Sequence, residues 1–330
     1  MKELWSIYHT DIPRFLQEFA DTPPMLRLKG VGMNCGCEYT NFPQFRDLRP
    51  YTRFDHSMGA ALIVWHFTGS MEQSLAALFH DVTTPVFAHV VDFLHGDHMK
   101  QESTEAGVEA CLLDSSEVCD LLEKYDIAVT DVSDYHRYPI ADNNSPALSA
   151  DRLEYTLGNL YNYGFASLDT IRRYYRDLTV GVDEKGAPEL VFCSQETAAA
   201  FAETALCTAR VYVADEDRFA MESLALLLRD AIERQVLTER DLWKTEPEVI
   251  SCLENDVVSG QKWLRYRAYS RIRRCLERPE TGNWLKVNAK KRWIDPLAAD
   301  AGRVSAWNEE VRRQMEEFCA QDFGCWLSAE

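Results

Sequence analysis

His80 and Asp81 adjoin in the chain, with His56 upstream and Asp151 downstream, so two imidazoles and two carboxylates are available to hold one metal ion. Imidazole and carboxylate ligands suit divalent metals, and without a thiolate the donor set leaves Fe, Mn, Zn, Ni, Co and Mg open. Four protein ligands on an octahedral ion leave positions for water and a phosphate oxygen. Such an ion lowers the pKa of bound water and neutralises charge growing on a phosphoryl group, the two needs of phosphoester hydrolysis. A lone His-Asp dipeptide arises by chance, and a half-buried His is often just a satisfied core residue. The four residues together carry the hydrolase reading.

Three helices must position these ligands. His80-Asp81 closes the apolar run Ser74-Leu75-Ala76-Ala77-Leu78-Phe79, His56 stands where the apolar stretch from Gly59 to Phe67 begins, and Asp151 lies in Ala150-Asp151-Arg152-Leu153-Glu154-Tyr155. Further along, the spacing predicts a helix from Pro85 through Leu94, with Pro85 in its first turn and Thr83 or Thr84 as its cap. On that helix His89 and Asp92 share a face, so the carboxylate fixes the imidazole tautomer and the pair can act as a general acid/base. The plain alternative is a surface His-Asp pair. Arg53, three residues before His56, reads either as a phosphate clamp through its planar fork or as a partner to Asp55 or another carboxylate; the clamp is preferred because it would lie beside the metal. His95 and His98, with Asp97 between them, allow a second metal to be imagined, though His95-Gly96-Asp97-His98 reads more simply as a loop. His66 reads as packing, and His9 and His136 carry no spacing argument.

The order H, then HD, then D resembles the HD phosphohydrolase superfamily, and within it the deoxynucleoside triphosphate triphosphohydrolase branch of bacterial dGTPases and the sterile-alpha-motif HD protein of animals. The likeness runs through Asp21-Thr22-Pro23, Arg27-Leu28, Phe42-Pro43 and Arg53-Phe54-Asp55-His56-Ser57-Met58-Gly59, which is similar to that branch's R-F-E-H-S-x-G. After His80-Asp81, His89 and Asp92 fall in register with the branch's H-D-x-G-H-G-P-F-S-H-x-x-D, while the internal glycines and first His are replaced. Lys291-Arg292-Trp293-Ile294-Asp295-Pro296 is similar to a K-R-x-V/I-D-P segment of the same proteins. Gln101-Glu102 stands where the branch has a His-Glu pair, Gly158-Asn159 replaces an Arg-Asp, and the segment from Gly30 to Cys37 lacks the nucleotide-reading Gln of the animal enzyme.

The resemblance implies an all-α fold, an HD-domain helical core with a small inserted β-hairpin and a helical C-terminal region. It implies metal ligation by His56, His80, Asp81 and Asp151, a cleft wall at Tyr155, a nucleotide substrate cleaved to nucleoside and tripolyphosphate, and a homo-oligomer. Another phosphoester, such as a nucleoside monophosphate or a cyclic nucleotide, stays open. So does an HD protein that keeps its metal and senses a nucleotide without turning it over.

Composition frames these readings. The 330 residues suit one helical domain with an accessory lobe, and 46% hydrophobic content is enough for a real core. Residues 1–45 are expected to flank the active site, 46–237 to form the HD core with a hairpin at about 178–193, and 238–330 to form a helical C-terminal region with a basic stretch. Helical periodicity recurs in Leu75–His80, Val108–Leu113, Ala147–Leu160, Thr197–Tyr212 and Phe219–Val236. Thr238-x-x-Asp241 and Glu246-Pro247 punctuate the start of the C-terminal region. No stretch approaches the roughly 20 apolar residues of a membrane span, and ten scattered cysteines read as free thiols, so a cytoplasmic protein is expected. A net charge of −18 argues against a nonspecific nucleic-acid binder. Yet residues 261–293 hold eleven Lys or Arg against two acidic residues. Arg265, Arg267, Arg271, Arg273 and Arg274 are interleaved there with Trp263, Tyr266 and Tyr269, as on a helix. Lys290-Lys291-Arg292 follows. This stretch reads as a solvated helix or subunit interface, or as a surface on which nucleic-acid bases stack.

Overall fold

The computed structural model describes residues 1–96 and 107–330. At its centre is the helix Arg53–Thr68. Thr52 accepts from the Asp55 amide while the Asp55 carboxylate accepts from the Thr52 amide, which closes the first turn as a capping box. Gly69, in the left-handed conformation at φ 64°, ends the helix, and Ser70 caps the next, Met71–Phe79. A two-residue turn therefore folds these helices against each other, and His56 and His80 come from that pair. The helix Ala150–Asn162, capped by Ser149, packs across the first. The approach requires Gly59, where an added Cβ would stand 2.5 Å from Glu154 Oε1.

Two apolar clusters hold the fold. One gathers the helices just described, Gln195–Val211, the N-terminal helices Lys2–Tyr8 and Arg14–Ala20, and Ile294, Val304, Val311 and Phe318 from the C-terminal part of the chain. The other surrounds the helix Asp215–Glu233 and takes in Phe42, Phe45, Phe93, Trp263, Tyr266 and Tyr269.

The fold is 56% helical but not purely all-α. The expected hairpin forms as β1 (Leu178–Val182) and β2 (Pro188–Phe192), antiparallel with Leu178 opposite Phe192. Its open edge is then covered from far along the chain: β4 (Leu297–Ala298) pairs parallel to β2, and β5 (Gly302–Arg303) pairs antiparallel to β4. A second sheet joins β3 (Ile272–Cys275) to β6 (Trp326–Ala329). The C-terminal region is accordingly mixed: helices Glu246–Asn255, Val257–Ala268 and Glu309–Ala320 flank an irregular stretch of some twenty residues that contains Pro279, Gly282 and Pro296. No helix among the described residues is long and apolar enough to cross a membrane.

Two local expectations are corrected. The helix expected from Pro85 spans only Val90–His95, because Phe87 and Ala88 take positive φ values of 57° and 45° and two upstream amides are captured elsewhere, Val86 by the Leu242 carbonyl and Phe87 by the Glu246 carboxylate. Thr84 caps nothing and donates instead to Asp81. The basic and aromatic stretch is not one helix and offers no stacking surface: Trp263 and Tyr266 are 1% exposed and Tyr269 8%. Their three-residue spacing places them on one face, packed against Tyr39, Phe42 and Phe219, while Arg265 and Arg267 face solvent and Arg273 and Arg274 lie on β3.

Candidate metal centre

His56 sits in the first turn of its helix, His80 just past the end of the next, and Asp151 in the first turn of the third. Their donor atoms converge: His56 Nε2 is 3.1 Å from His80 Nε2 and 3.0 Å from Asp151 Oδ1, and His80 Nε2 is 3.5 Å from the same oxygen. Among the described residues these three form the metal-competent cluster. The far side of each ring is fixed. His80 Nδ1 donates to the Ala77 carbonyl at 2.7 Å, and His56 Nδ1 to Glu154 at 2.6 Å, so on each ring Nε2 is the nitrogen turned toward a common focus, where an ion would take the place of any proton. That donor set fits a divalent cation.

Asp81 stands beside the cluster, its Oδ2 3.6 Å from His80 Nε2 and 3.9 Å from His56 Nε2. Its carboxylate accepts from Arg53 Nη1 at 3.0 Å and from the Thr84 hydroxyl at 2.7 Å. Arg53 thus pairs with Asp81 and not with Asp55, which is spent on the helix cap. Burial disfavours the charged form of Asp81, but the Arg53 guanidinium outweighs it and holds the carboxyl well below the usual range. Burial likewise opposes charge on His56, yet hydrogen bonds to Asp151 and Glu154 raise its pKa to about 10.

A cavity of about 380 Å³ opens over this cluster. Arg53, His89 and Tyr155 all line it. His89 donates from Nδ1 to the fully buried Asp92 at 2.9 Å. Burial is the largest influence on its ring and, with the charges of Arg292 and Arg53, outweighs Asp92 and draws the pKa down. The Tyr155 ring centre is 6.4 Å from that of His56. Phe93 and Met221 of one apolar cluster and Tyr135 and Ala289 of the other also line the cavity, so it lies where the two cores meet.

Several residues at or behind the site carry no clear sequence signal. Glu154, 0% exposed, bonds both His56 and Tyr51; its place three residues after Asp151, on the same helix face, was the one available signal. His136, paired with Asp142 at 2.8 Å, and Asp217 reach the cavity from loops and a helix that no motif links to it. Lys290 and Arg292 enter from the basic stretch. The imagined second metal falls on residues outside those described, Asp97 and His98, and Gln101 and Glu102 lie outside them too; His95 lies 3.9 Å from Glu239 at the surface. His66 is exposed near its helix end, against the rings of His9, Phe67 and Tyr175.

No family model matches the chain. It is 27% identical over 241 residues to the uncharacterised protein YdhJ of Bacillus subtilis, covering 72% of this chain and 70% of that protein. It is 25% identical over 300 residues to the metal-dependent phosphohydrolase cns2 of Cordyceps militaris, covering 85% of this chain and 79% of the other. Among solved structures, a phosphohydrolase from Bacteroides thetaiotaomicron shares the fold, with a TM-score of 0.55 at 15% identity over 81% of this chain and 76% of that one. With the His56, His80-Asp81 and Asp151 arrangement, these likenesses support the HD-domain superfamily. They single out no branch within it.

Proposed function

We propose that this protein is a metal-dependent phosphohydrolase acting on a nucleotide. The observation that carries this reading is the convergence of His56 Nε2, His80 Nε2 and Asp151 Oδ1 within 3.5 Å of one another, with both Nδ1 atoms tied down behind them. These three residues and Asp81 are the proposed ligands of one divalent ion. Bound there, the ion supplies Lewis acidity for water activation and for neutralising phosphoryl charge. The name of one relative, metal-dependent phosphohydrolase, points the same way.

The remaining roles belong to the chain's own groups. Arg53 lines the cavity and keeps its Nε buried without a protein partner, a donor that a phosphate oxygen would satisfy. His89 is the proposed acid/base. The arginines around it disfavour its charged form until an anionic phosphate offsets them, so substrate binding favours proton uptake at Nε2, ready for the leaving oxygen. Tyr155 forms the proposed substrate wall.

Among nucleotides, the sequence resemblance puts deoxynucleoside triphosphates first, with nucleoside and tripolyphosphate as products. A smaller nucleotide, cleaved by a nucleotidase or phosphodiesterase reaction, is favoured by one observation: at about 380 Å³ the cavity lies near the lower end of small-molecule sites. The deciding experiment is chromatographic product analysis of the purified protein loaded separately with Mn, Fe, Mg or Zn, against dNTPs, NTPs, monophosphates and cyclic nucleotides, with Asp81→Asn alongside. Tripolyphosphate lost in the variant supports the first reading, and inorganic phosphate from monophosphates the second. Silence across the panel moves the protein to a nucleotide sensor. Light scattering reads the homo-oligomeric state that the resemblance implies.

A further inference from the structure

We infer that the irregular segment around Lys290 and Arg292 is a substrate-binding element, in which Arg292, assisted by Lys290, grips the phosphate group presented to the metal centre. The inference rests on the phosphohydrolase reading above and deepens it by adding the residues that recognise the anion.

The segment has no helix or sheet of its own, yet it is pinned at three points. The buried Arg218 donates to the Val287 carbonyl, Lys291 Nζ donates to the carbonyls of Cys319 and Gln321, and the Asp295 amide donates to the Pro146 carbonyl at 2.9 Å while its carboxylate accepts from Ser305. Lys291 is committed to the end of the helix Glu309–Ala320, while its two neighbours line the cavity. Trp293 is held in turn through its carbonyl by Ser145. The pinned backbone therefore fixes where Lys290 and Arg292 stand.

Their surroundings name the ligand. Arg292 is half-buried and lines the same cavity as the proposed acid/base His89 and the proposed substrate wall Tyr155. A planar guanidinium in the lining, with an exposed ammonium at the rim, suits a group with several anionic oxygens, for which Arg offers a bidentate fork and Lys a point charge. In a chain of net charge −18, this basic segment also concentrates positive potential where a nucleotide enters.

The test uses the full-length, manganese-loaded protein, titrated calorimetrically with inorganic phosphate and, separately, with an unphosphorylated nucleoside. Variants are Arg292→Ala, Arg292→Lys and Lys290→Ala, with Lys286→Ala as a control that removes the same charge from the same stretch outside the cavity. Arg292→Ala is expected to weaken phosphate binding about 10- to 100-fold, the loss of a charge-assisted hydrogen-bonding partner, with nucleoside binding unchanged. Lys290→Ala, being exposed, is expected to weaken it about two- to fivefold. Arg292→Lys should recover part of the loss, and where a nucleotide is hydrolysed, KM should rise with kcat little changed. Phosphate binding by both Arg292 variants equal to wild type, or an equal loss in Lys286→Ala, overturns the inference. Should Arg292→Ala melt early, Arg292→Lys and Lys290→Ala decide the matter. A wild type that hydrolyses nothing, yet binds phosphate through Arg292, overturns the phosphohydrolase reading alone; intact hydrolysis in an unaffected Arg292→Ala overturns this inference alone.

Discussion

Two sets of carboxylates lie at or behind the cavity, and they are in opposite states. Burial works against charge on Asp81 and Asp151, but Arg53 beside the first and His56 beside the second outweigh it, and both pKa values fall below the ordinary range. Asp217 lines the same cavity, and Glu38 and Glu246 lie behind the loop that carries Met33, Asn34 and Cys35. There burial dominates and no cation opposes it strongly enough, so Asp217 is pushed up to about 8 and the two glutamates are also raised. Burial is common to both sets. The neighbouring hydrogen-bond donor or cation decides which set is charged.

Breaking the charged set gives the largest effect. Asp81→Asn keeps the shape, removes a proposed ligand, and leaves the buried Arg53 without its counter-charge. Turnover is expected to fall below detection and bound metal, measured by mass spectrometry, to drop, while the helical circular-dichroism signal persists. A variant that retains activity would remove Asp81 from the ligand set. Next is His89→Ala, which leaves both carboxylate sets in place and removes the proposed acid/base. It is expected to slow turnover by about 10²- to 10⁴-fold, the range for general acid/base catalysis, with metal content unchanged. Metal lost along with rate would recast His89 as a structural support.

The asymmetry also explains what the sequence could reveal. His56, His80, Asp81 and Asp151 were legible because helix ends and residue order position them, and local signals such as the Thr238/Asp241 capping box and the Leu178–Phe192 hairpin were legible for the same reason. Glu38, Asp217 and Glu246 were not, because their states depend on burial between elements far apart in the chain. The parallel pairing of Val191 with Leu297 was equally hidden, since two-residue strands carry no periodic signal. Nor could spacing separate Trp263, Tyr266 and Tyr269 as core from Arg292 as a cavity residue. A helix-like stripe of aromatics looks the same facing a core or facing a ligand, and the chain beyond Ala268 is not helical.

Glu154→Gln sharpens the comparison from within, since Glu154 supports the charged set while bearing no metal itself. It orients the His56 ring and accepts from Tyr51 in a fully buried space that Gly59 leaves open. Both partners meet the same oxygen, Oε2, so an amide oxygen at that position is a neutral and weaker acceptor for the His56 Nδ1 proton. Metal affinity is expected to fall by about 10- to 100-fold, as for other partners of metal-bound histidines. Fluorescence competition against a metal indicator measures it. An unchanged affinity would mean that the helix alone holds His56 in place.

The smallest effect tests the neutral set, through stability. The folded-state pKa of Asp217 is raised by burial to about 8, above its ordinary carboxylate value. Its contribution is therefore fully present below the unfolded-state value, near 4, and is lost as pH rises through the folded value. Between those limits the folded protein holds a proton that the unfolded chain releases, so stability declines with pH across that window. Asp217→Asn replaces the protonated acid by a neutral isostere and removes the decline. The melting temperature of the variant is expected to match wild type at pH 5 and exceed it at pH 8 by about a few degrees. A difference of equal size at both pH values would trace the gain to packing against Cys37 instead of to charge. A variant less stable at pH 8 would show that Asp217 is ionised in the folded protein, and the two sets of carboxylates would then be alike.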